Sequence, residues 1–424
     1  MKKSATPVLY ILITLYCPFV WCQGLSQADP EQVGMSSARL TRIDRFIERH
    51  LDENHFAGAV TAVARRGKVV QFNAYGMQDI ESETPMSRDS IFRFYSMTKP
   101  ITSVAVMMLF EQGHFLLDDP VSKFLPEFKD LEVGIEVVAE TTGELILKTV
   151  PAIREVSIRD LLRHTSGLTY GFWGESLVDK MYLDQKVLTE DETIQDTVTK
   201  LGSIPLKHQP GTVWEYGVST DVLGRLVEVV SGQAFDDFLN DRIFAPLGMT
   251  DTGFFAPPED AHRLATVYEA NETNTAIAPY DPSKTRDFLK KPTYFSGGGG
   301  LISTAADYLR FLQMLLNGGE LEGTRILGTE TVEMMTTDHL IEIEDRRDLG
   351  PYSFGLGVGI ALDRGKSGLI LSEGSFGWGG LAHTGFWIDP EEQLIGIFLT
   401  QLLPESPLPY RDLFRPVVYQ AIVD

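Results

Sequence analysis

The sequence predicts an α+β fold. One antiparallel sheet is assembled from the two ends of the chain, terminal helices cover it, and a mostly helical part of about residues 100–330 is inserted between its halves. Three observations lead there. Strand-like alternation occurs early, over Ala59 to Ala64 and Val69 to Tyr75, with Arg65-Arg66-Gly67-Lys68 between them reading as a hairpin. Strand patterns return only after residue 350, over 355–362, 369–372, 381–388 and 394–400. Between these blocks the apolar residues recur at helical spacing.

Taken in order, Ser36 to Leu51 reads as an amphipathic helix, with Leu40, Ile43, Phe46, Ile47 and Leu51 on one face behind a serine cap. A nearly all-apolar run from Ile101 to Phe110 predicts a helix buried on every side, closed by Gly113. Residues 131–150 alternate around Thr141-Thr142-Gly143-Glu144 and predict a surface β-ribbon. A short helix over 157–166 buries Leu161 and Leu162. The polar stretch 172–207 reads as a loop and one helix, and 256–295, rich in Pro, Asp, Thr and Asn, as a long loop. Asp221 to Val230, Phe235 to Phe244 and Ser303 to Leu316 are helical by period. The expected organisation is a leader over 1–24 and one domain over 25–424, its sheet part at 36–95 and 340–424.

The leader has the form of a secretory signal: Lys2 and Lys3, an apolar stretch from Val8 to Val20, and small residues for a cut after Cys22 or Gly24. Its removal would place the protein in a periplasm or outside the cell. It would also take both cysteines, Cys17 and Cys22, leaving no thiol for a disulfide. Lipid attachment at Cys22 is the rival reading, disfavoured by the preceding Trp21. The apolar stretch is short for a membrane span. A net charge of −22 over 424 residues argues against nucleic acid as a partner, which calls for a basic face.

Chemistry concentrates at Phe94-Tyr95-Ser96-Met97-Thr98-Lys99-Pro100. Ser96 is the only serine with a lysine three residues on. Residues i and i+3 share a helix face, so the amine can lie beside the hydroxyl. The helix start offers free N–H groups to a developing negative charge, and burial favours the uncharged amine, the form that can accept a proton. A helix cap with a solvated lysine is the bland reading of the same four residues. Two further segments could complete a site. Tyr216, in Trp214-Glu215-Tyr216-Gly217-Val218-Ser219, could share the proton network of Ser96 or be a core tyrosine with a satisfied hydroxyl. Trp378-Gly379-Gly380-Leu381-Ala382-His383-Thr384-Gly385-Phe386 has the glycine content that lets a substrate approach a strand, and His383 there could bind substrate or pack.

Through these segments the chain resembles the serine β-lactamase-like superfamily, which holds class C β-lactamases, penicillin-binding proteins and D-alanyl-D-alanine carboxypeptidases, and is most similar to its family VIII carboxylesterases. The resemblance covers about residues 30–405. It also draws on Asp160-Leu161-Leu162-Arg163-His164-Thr165-Ser166-Gly167-Leu168, Pro246-Leu247-Gly248-Met249-Thr250-Asp251-Thr252 and Gly298-Gly299-Gly300-Leu301-Ile302-Ser303-Thr304. It implies the β-lactamase/DD-peptidase fold, Ser96 as the acylated nucleophile, and Lys99 and Tyr216 as its base network. It places Trp378, His383, Gly385 and Phe386 against the substrate, with the N–H groups of Ser96 and Phe386 as the oxyanion hole. No cofactor or metal is implied.

Two departures bear on substrate. The class C pattern has an asparagine where this chain has Val218, and a lysine where it has His383, largely neutral at pH 7. Both changes remove groups that hold a β-lactam and suit a neutral ester. The expectation is a secreted serine hydrolase, a carboxylesterase for short to medium acyl esters. A β-lactamase or D-amino-acid peptidase acting on an amide, and an acyltransferase on the same scaffold, are the alternatives. A lipase-type elbow is absent, since Gly374-Ser375-Phe376-Gly377 lacks its first glycine, and no His-Glu-x-x-His occurs.

Overall fold

The computed structural model describes residues 25–346, 349–403 and 408–424, so the leader and its two cysteines lie outside the described residues. The central sheet has eight strands: β1 (Gly58–Arg65), β2 (Lys68–Asp79), β3 (Thr84–Pro85), β4 (Tyr352–Phe354), β5 (Gly359–Ala361), β6 (Phe376–Gly379), β7 (Gly385–Asp389) and β8 (Leu394–Leu399). Their spatial order is β4-β5-β6-β7-β8-β1-β2-β3, and every neighbouring pair is antiparallel. The early and late blocks meet where β1 pairs β8, from Val60 opposite Leu399 to Arg65 opposite Leu394.

Every residue of β1 and β8 is buried, because both faces of the sheet are covered. Side chains alternate between the faces. Ala59 and Val63 point to α1 (Ser37–Asp52) and to the C-terminal helix Tyr410–Tyr419, meeting Phe46, Ile47, Phe414 and Val418. Val60, Ala62 and Ala64 point the other way, into the main core with Ile101, Val104 and Phe311. Each fully buried Phe, Leu or Val here contributes roughly 1.5–3 kcal/mol of transfer free energy. The α1 register follows the predicted stripe, and the Ser36 hydroxyl caps it by accepting the Arg39 N–H. The chain ends are stitched together: Ser36 N donates to Ala421 O at 2.8 Å, Val423 N to Gly34 O at 3.0 Å, and Arg65 pairs with Asp424 at 2.6 Å.

α2 (Thr98–Glu111) runs through the molecule with Thr98 to Leu109 all buried, as its apolar composition requires. α3 (Ser219–Ser231) packs against it, and α4 (Ala305–Leu316) lies across β1 and β8. The ribbon at 131–150 forms, as Glu132–Val138 paired with Leu145–Pro151.

Several expectations change, among them the strand over 355–362, which forms only at Gly359–Ala361. The stretch 172–207 holds two helices, Leu177–Asp184 and Ile194–Leu201, each opened by a capping box, Ser176 with Asp179 and Thr193 with Asp196. Residues 256–295 include a small hairpin, Tyr268–Ala270 with Ile277–Pro279. No strand forms over 369–372, and the strand expected over 381–388 begins only at Gly385. Residues 380–384 instead make a turn, with Gly380 N donating to Thr384 O at 2.8 Å and His383 at φ 60°. Among the described residues no helix is long and apolar enough to cross a membrane.

Candidate active site

Ser96 sits on a 3-10 turn, Tyr95–Met97, that feeds α2. The turn is gripped from both sides. Phe94 N donates to Leu301 O at 2.9 Å, Leu301 N to Thr98 Oγ1 at 3.1 Å, and Tyr308 Oη to Met97 O at 2.8 Å. Behind it, Thr384 Oγ1 reaches Phe94 O at 3.4 Å. Tyr95 is held at φ 44°, a left-handed conformation costing on the order of 1–3 kcal/mol that the surrounding grip must sustain. Gly380 presses on the same turn: a Cβ there would lie 2.3 Å from Phe94 O, so only glycine fits. The first 3-10 bond is donated by Met97 to Phe94 O, and the Ser96 N–H ahead of it has no intrahelical acceptor.

Lys99 is completely buried, one turn on from Ser96. Its Nζ contacts three oxygens: Gly298 O at 2.7 Å, Tyr170 Oη at 2.8 Å and Ser96 Oγ at 3.3 Å. Among the described residues no carboxylate pairs with it. A neutral amine has two hydrogens and one lone pair. Donating to the two nearer oxygens would use both hydrogens of such an amine and leave its lone pair for Ser96 Oγ, the arrangement a proton acceptor needs.

Tyr170 was not singled out in the sequence; its signal was its position two residues after the Gly167-Leu168 end of a matching segment. Burial, with Tyr216 and Asp221 nearby, pushes its hydroxyl well above the usual range, so it stays protonated. Tyr216 presents its ring, not its hydroxyl, to Lys99: Nζ lies 4.5 Å from the ring centroid. Its hydroxyl instead accepts from Trp378 Nε1 at 3.1 Å. The ring also stacks with Trp214 and with Trp173, centroids 5.9 and 5.8 Å away. Beside it His164 is buried, with neither ring nitrogen hydrogen-bonded and its pKa pushed well down by burial and by Lys99.

Ser96, Trp173, Tyr216, Trp378, Leu381 and Arg411 line a cavity of about 350 Å³. A second cavity of about 660 Å³ lies against the first, sharing Trp173, Tyr216, Tyr352 and Trp378 as walls.

The structure turns His383, Gly385 and Phe386 away from this cavity, while Trp378 lines it. The His383 ring is 1 % exposed and packs edge-on against Tyr410, and burial with Arg411 nearby takes its pKa down to about 3. Gly385 is covered by the Arg411 stem, whose Cδ would lie 2.5 Å from an added Cβ. Phe386 is buried against Tyr308, and β7 lies between β6 and β8, so its N–H belongs to the sheet ladder and cannot serve an oxyanion. The 380–384 turn causes this displacement by carrying the His-Thr-Gly segment behind the cleft strand. Leu381, just past β6, takes the exposed place: it lines the cavity with Ser96, and no acceptor among the described residues receives its N–H. Val218 is fully buried in the main core. Cationic groups reach the cavity from Arg411 and Arg415 of the C-terminal helix, not from position 383.

A buried nucleophile–lysine pair at the start of a central helix, facing a strand edge across an aromatic cavity, defines a serine acyl-transfer enzyme. The Beta-lactamase family model matches residues 43–418, and the chain belongs to that family as one of its serine hydrolases. It is 36 % identical over 367 residues to protein Rv1367c of Mycobacterium tuberculosis, covering 84 % of this chain and 88 % of that one. It is 30 % identical over 406 residues to esterase EstB of Burkholderia gladioli, covering 89 % and 94 %. Among solved structures it is similar to EstCE1, described as a hydrolase with promiscuous acyltransferase activity, with a TM-score of 0.76, 27 % identity, and 90 % and 99 % of the two chains covered.

Proposed function

We propose that the protein is a carboxylesterase that cleaves short to medium acyl esters through a Ser96 acyl-enzyme. The observation that carries this reading is the buried Lys99 amine, 3.3 Å from Ser96 Oγ, at the edge of an aromatic cavity with no residue placed to hold a β-lactam amide at position 218. The likeness to EstB supports it. In the proposed sequence Lys99 Nζ takes the Ser96 proton as Oγ bonds to the ester carbonyl carbon. The oxygen that gains the negative charge is received by the N–H groups of Ser96 and Leu381. Collapse breaks the bond to the alcohol, and the Tyr216 hydroxyl, facing the cavity beside Trp378, passes a proton to the departing oxygen. Water then attacks the acyl carbon as the Tyr216 oxygen takes one of its protons, and the bond to Ser96 Oγ breaks as Lys99 returns the proton it holds to that oxygen.

The second cavity favours a companion reading, transfer of the acyl group to an alcohol held behind the Trp173–Tyr216–Trp378 wall. EstCE1, described as promiscuous in that direction, agrees with it. Secretion is proposed from residues 1–24 alone.

The test is the initial rate on p-nitrophenyl butyrate and on a chromogenic cephalosporin, with Ser96→Ala beside the wild type. Ester turnover lost in Ser96→Ala, with cephalosporin slower by two or more orders of magnitude (roughly 3 kcal/mol in barrier), supports the esterase. Comparable cephalosporin turnover replaces it with a lactamase, and activity that survives Ser96→Ala removes the nucleophile assignment.

A further inference from the structure

Asp221 is a carboxylate in the wrong place for a purely structural residue. It lies on α3, is 1 % exposed, and pairs with no lysine, arginine or histidine among the described residues. Such a charge is expensive to bury. Its Oδ1 accepts from Ser296 Oγ at 2.6 Å and from Gly298 N at 3.1 Å, while Oδ2 meets no donor in hydrogen-bond geometry among the described residues. Burial first, and then the nearby Asp221 carboxylate, push the Tyr294 hydroxyl well above its usual range.

Followed outward, the Ser296 contact leads to the catalytic lysine. Gly299 N donates to Ser296 Oγ at 2.9 Å. The same peptide unit presents the Gly298 carbonyl, which accepts from Lys99 Nζ at 2.7 Å. The hydrogen bonds therefore run in one direction, from Lys99 through the Gly298–Gly299 peptide and the Ser296 hydroxyl to Asp221. Bonds aligned head to tail polarise one another, and a charge at the accepting end strengthens each of them. The second contact, from Gly298 N, fixes the same loop directly. Neither wall of the lysine site has slack: an added Cβ on Gly298 would lie 2.5 Å from Asp221 Oδ2 and 3.1 Å from Tyr170 Oη.

We propose that Asp221 is a positioning residue for Lys99, acting through Ser296 and the Gly298–Gly299 peptide to hold the lysine amine in line with Ser96 Oγ. This rests on the Ser96–Lys99 reading above. Asp221 touches no substrate. Its effect falls on the rate at which Ser96 is acylated and not on substrate affinity.

The test is covalent labelling of Ser96 by a p-nitrophenyl alkylphosphonate, followed by p-nitrophenol release. It is run on the full chain as wild type, Asp221→Asn, Ser296→Ala, Ser296→Thr, and the double substitution that combines Asp221→Asn with Ser296→Ala, with melting temperatures recorded for each. The saturating labelling rate is expected to fall about tenfold or more in Asp221→Asn and in Ser296→Ala, the scale at which a small displacement of a catalytic group is felt. The half-saturating concentration stays within about twofold, the double substitution is no slower than the slower single one, and Ser296→Thr, which keeps the hydroxyl, labels at near the wild-type rate. Wild-type rates in both Asp221→Asn and Ser296→Ala overturn the proposal. So do effects that multiply as independent ones, or a loss carried by the half-saturating concentration. If Asp221→Asn does not fold, the Ser296 pair decides the question alone. Failure of the wild-type chain to label is a separate outcome, which removes the nucleophile reading itself.

Discussion

Tyr170→Phe takes one oxygen from the Lys99 shell and leaves the ring, its packing against Phe172 and Trp173, and the cavity wall in place. The consequence can be worked through the acylation step. As Lys99 takes the Ser96 proton its amine becomes an ammonium with three hydrogens, and three oxygens lie within reach: Gly298 O, Tyr170 Oη and Ser96 Oγ. The substitution leaves one hydrogen of a buried cation without an acceptor. A hydrogen bond to a charged group is worth about 1.5–3 kcal/mol, so acylation should slow about 10- to 150-fold. The assay is the pre-steady-state burst of p-nitrophenol from p-nitrophenyl butyrate, which isolates acylation from deacylation. Tyr216→Phe, run in parallel, should behave differently. Its hydroxyl contacts Trp378 and not Lys99, so its loss should fall on the departing alcohol and be larger for ethyl butyrate than for the p-nitrophenyl ester. A Tyr170→Phe burst rate within about twofold of wild type, or a loss confined to KM, would refute the reasoning about the lysine shell.

Other consequences are equally direct. Gly380→Ala should abolish turnover and lower the melting temperature, because its Cβ would fall 2.3 Å from the Phe94 carbonyl and 2.2 Å from Thr384 Oγ1, in the support of the Ser96 turn. His383→Gln should change ester kcat/KM little while lowering stability, since the ring packs on Tyr410 and does not face the cavity. His164→Phe should lower stability at pH 7 by about 1–3 kcal/mol, measured by urea denaturation, because the larger ring overfills a buried site at a left-handed backbone position (φ 58°). Finally, stability should decline on acidification. Burial holds the pKa of His50 near 4 and that of His383 near 3, below the ordinary 6.5. The unfolded chain therefore binds more protons than the folded one between pH 6.5 and about 4, and stability present above pH 6.5 is lost as pH falls through that window. Asp307, whose burial lifts it to about 6, opposes this by one proton. A melting temperature that is flat from pH 7 to pH 5 would contradict the prediction.

Much of the fold was legible because it is written in burial. The α1 stripe, the all-apolar α2 and the fully buried β1 and β8 each carry a pattern that only one environment satisfies. The two helices of 172–207 were obscured because their signal lies in short polar capping boxes and not in a long apolar period. The site divides along the same line. Ser96 and Lys99 are adjacent on one helical segment, so local spacing brings them together. Tyr170 reaches Lys99, and Leu381 and Arg411 reach the cavity, from three distant segments, which no local spacing reports. His383 and Phe386 were misplaced by a single feature, the turn at 380–384. It shortens the expected strand and exchanges which residues face the cleft, and it depends on a left-handed residue that is not glycine.

The stitched ends carry one more consequence. Because β1 can pair with β8 only after the segment between residues 65 and 394 has been traversed, the central contact of this molecule carries nearly the greatest loop-closure entropy the chain could impose on it. Folding should accordingly be slow, with the sheet completed last. Yet residues 34–36 and 421–424 already lie side by side, so a short linker could join them without bending the structure. A chain joined there and opened instead at the exposed ribbon tip, 140–144, would make β8 and β1 near neighbours in sequence. The same folded enzyme would then be reached along a path of much lower contact order.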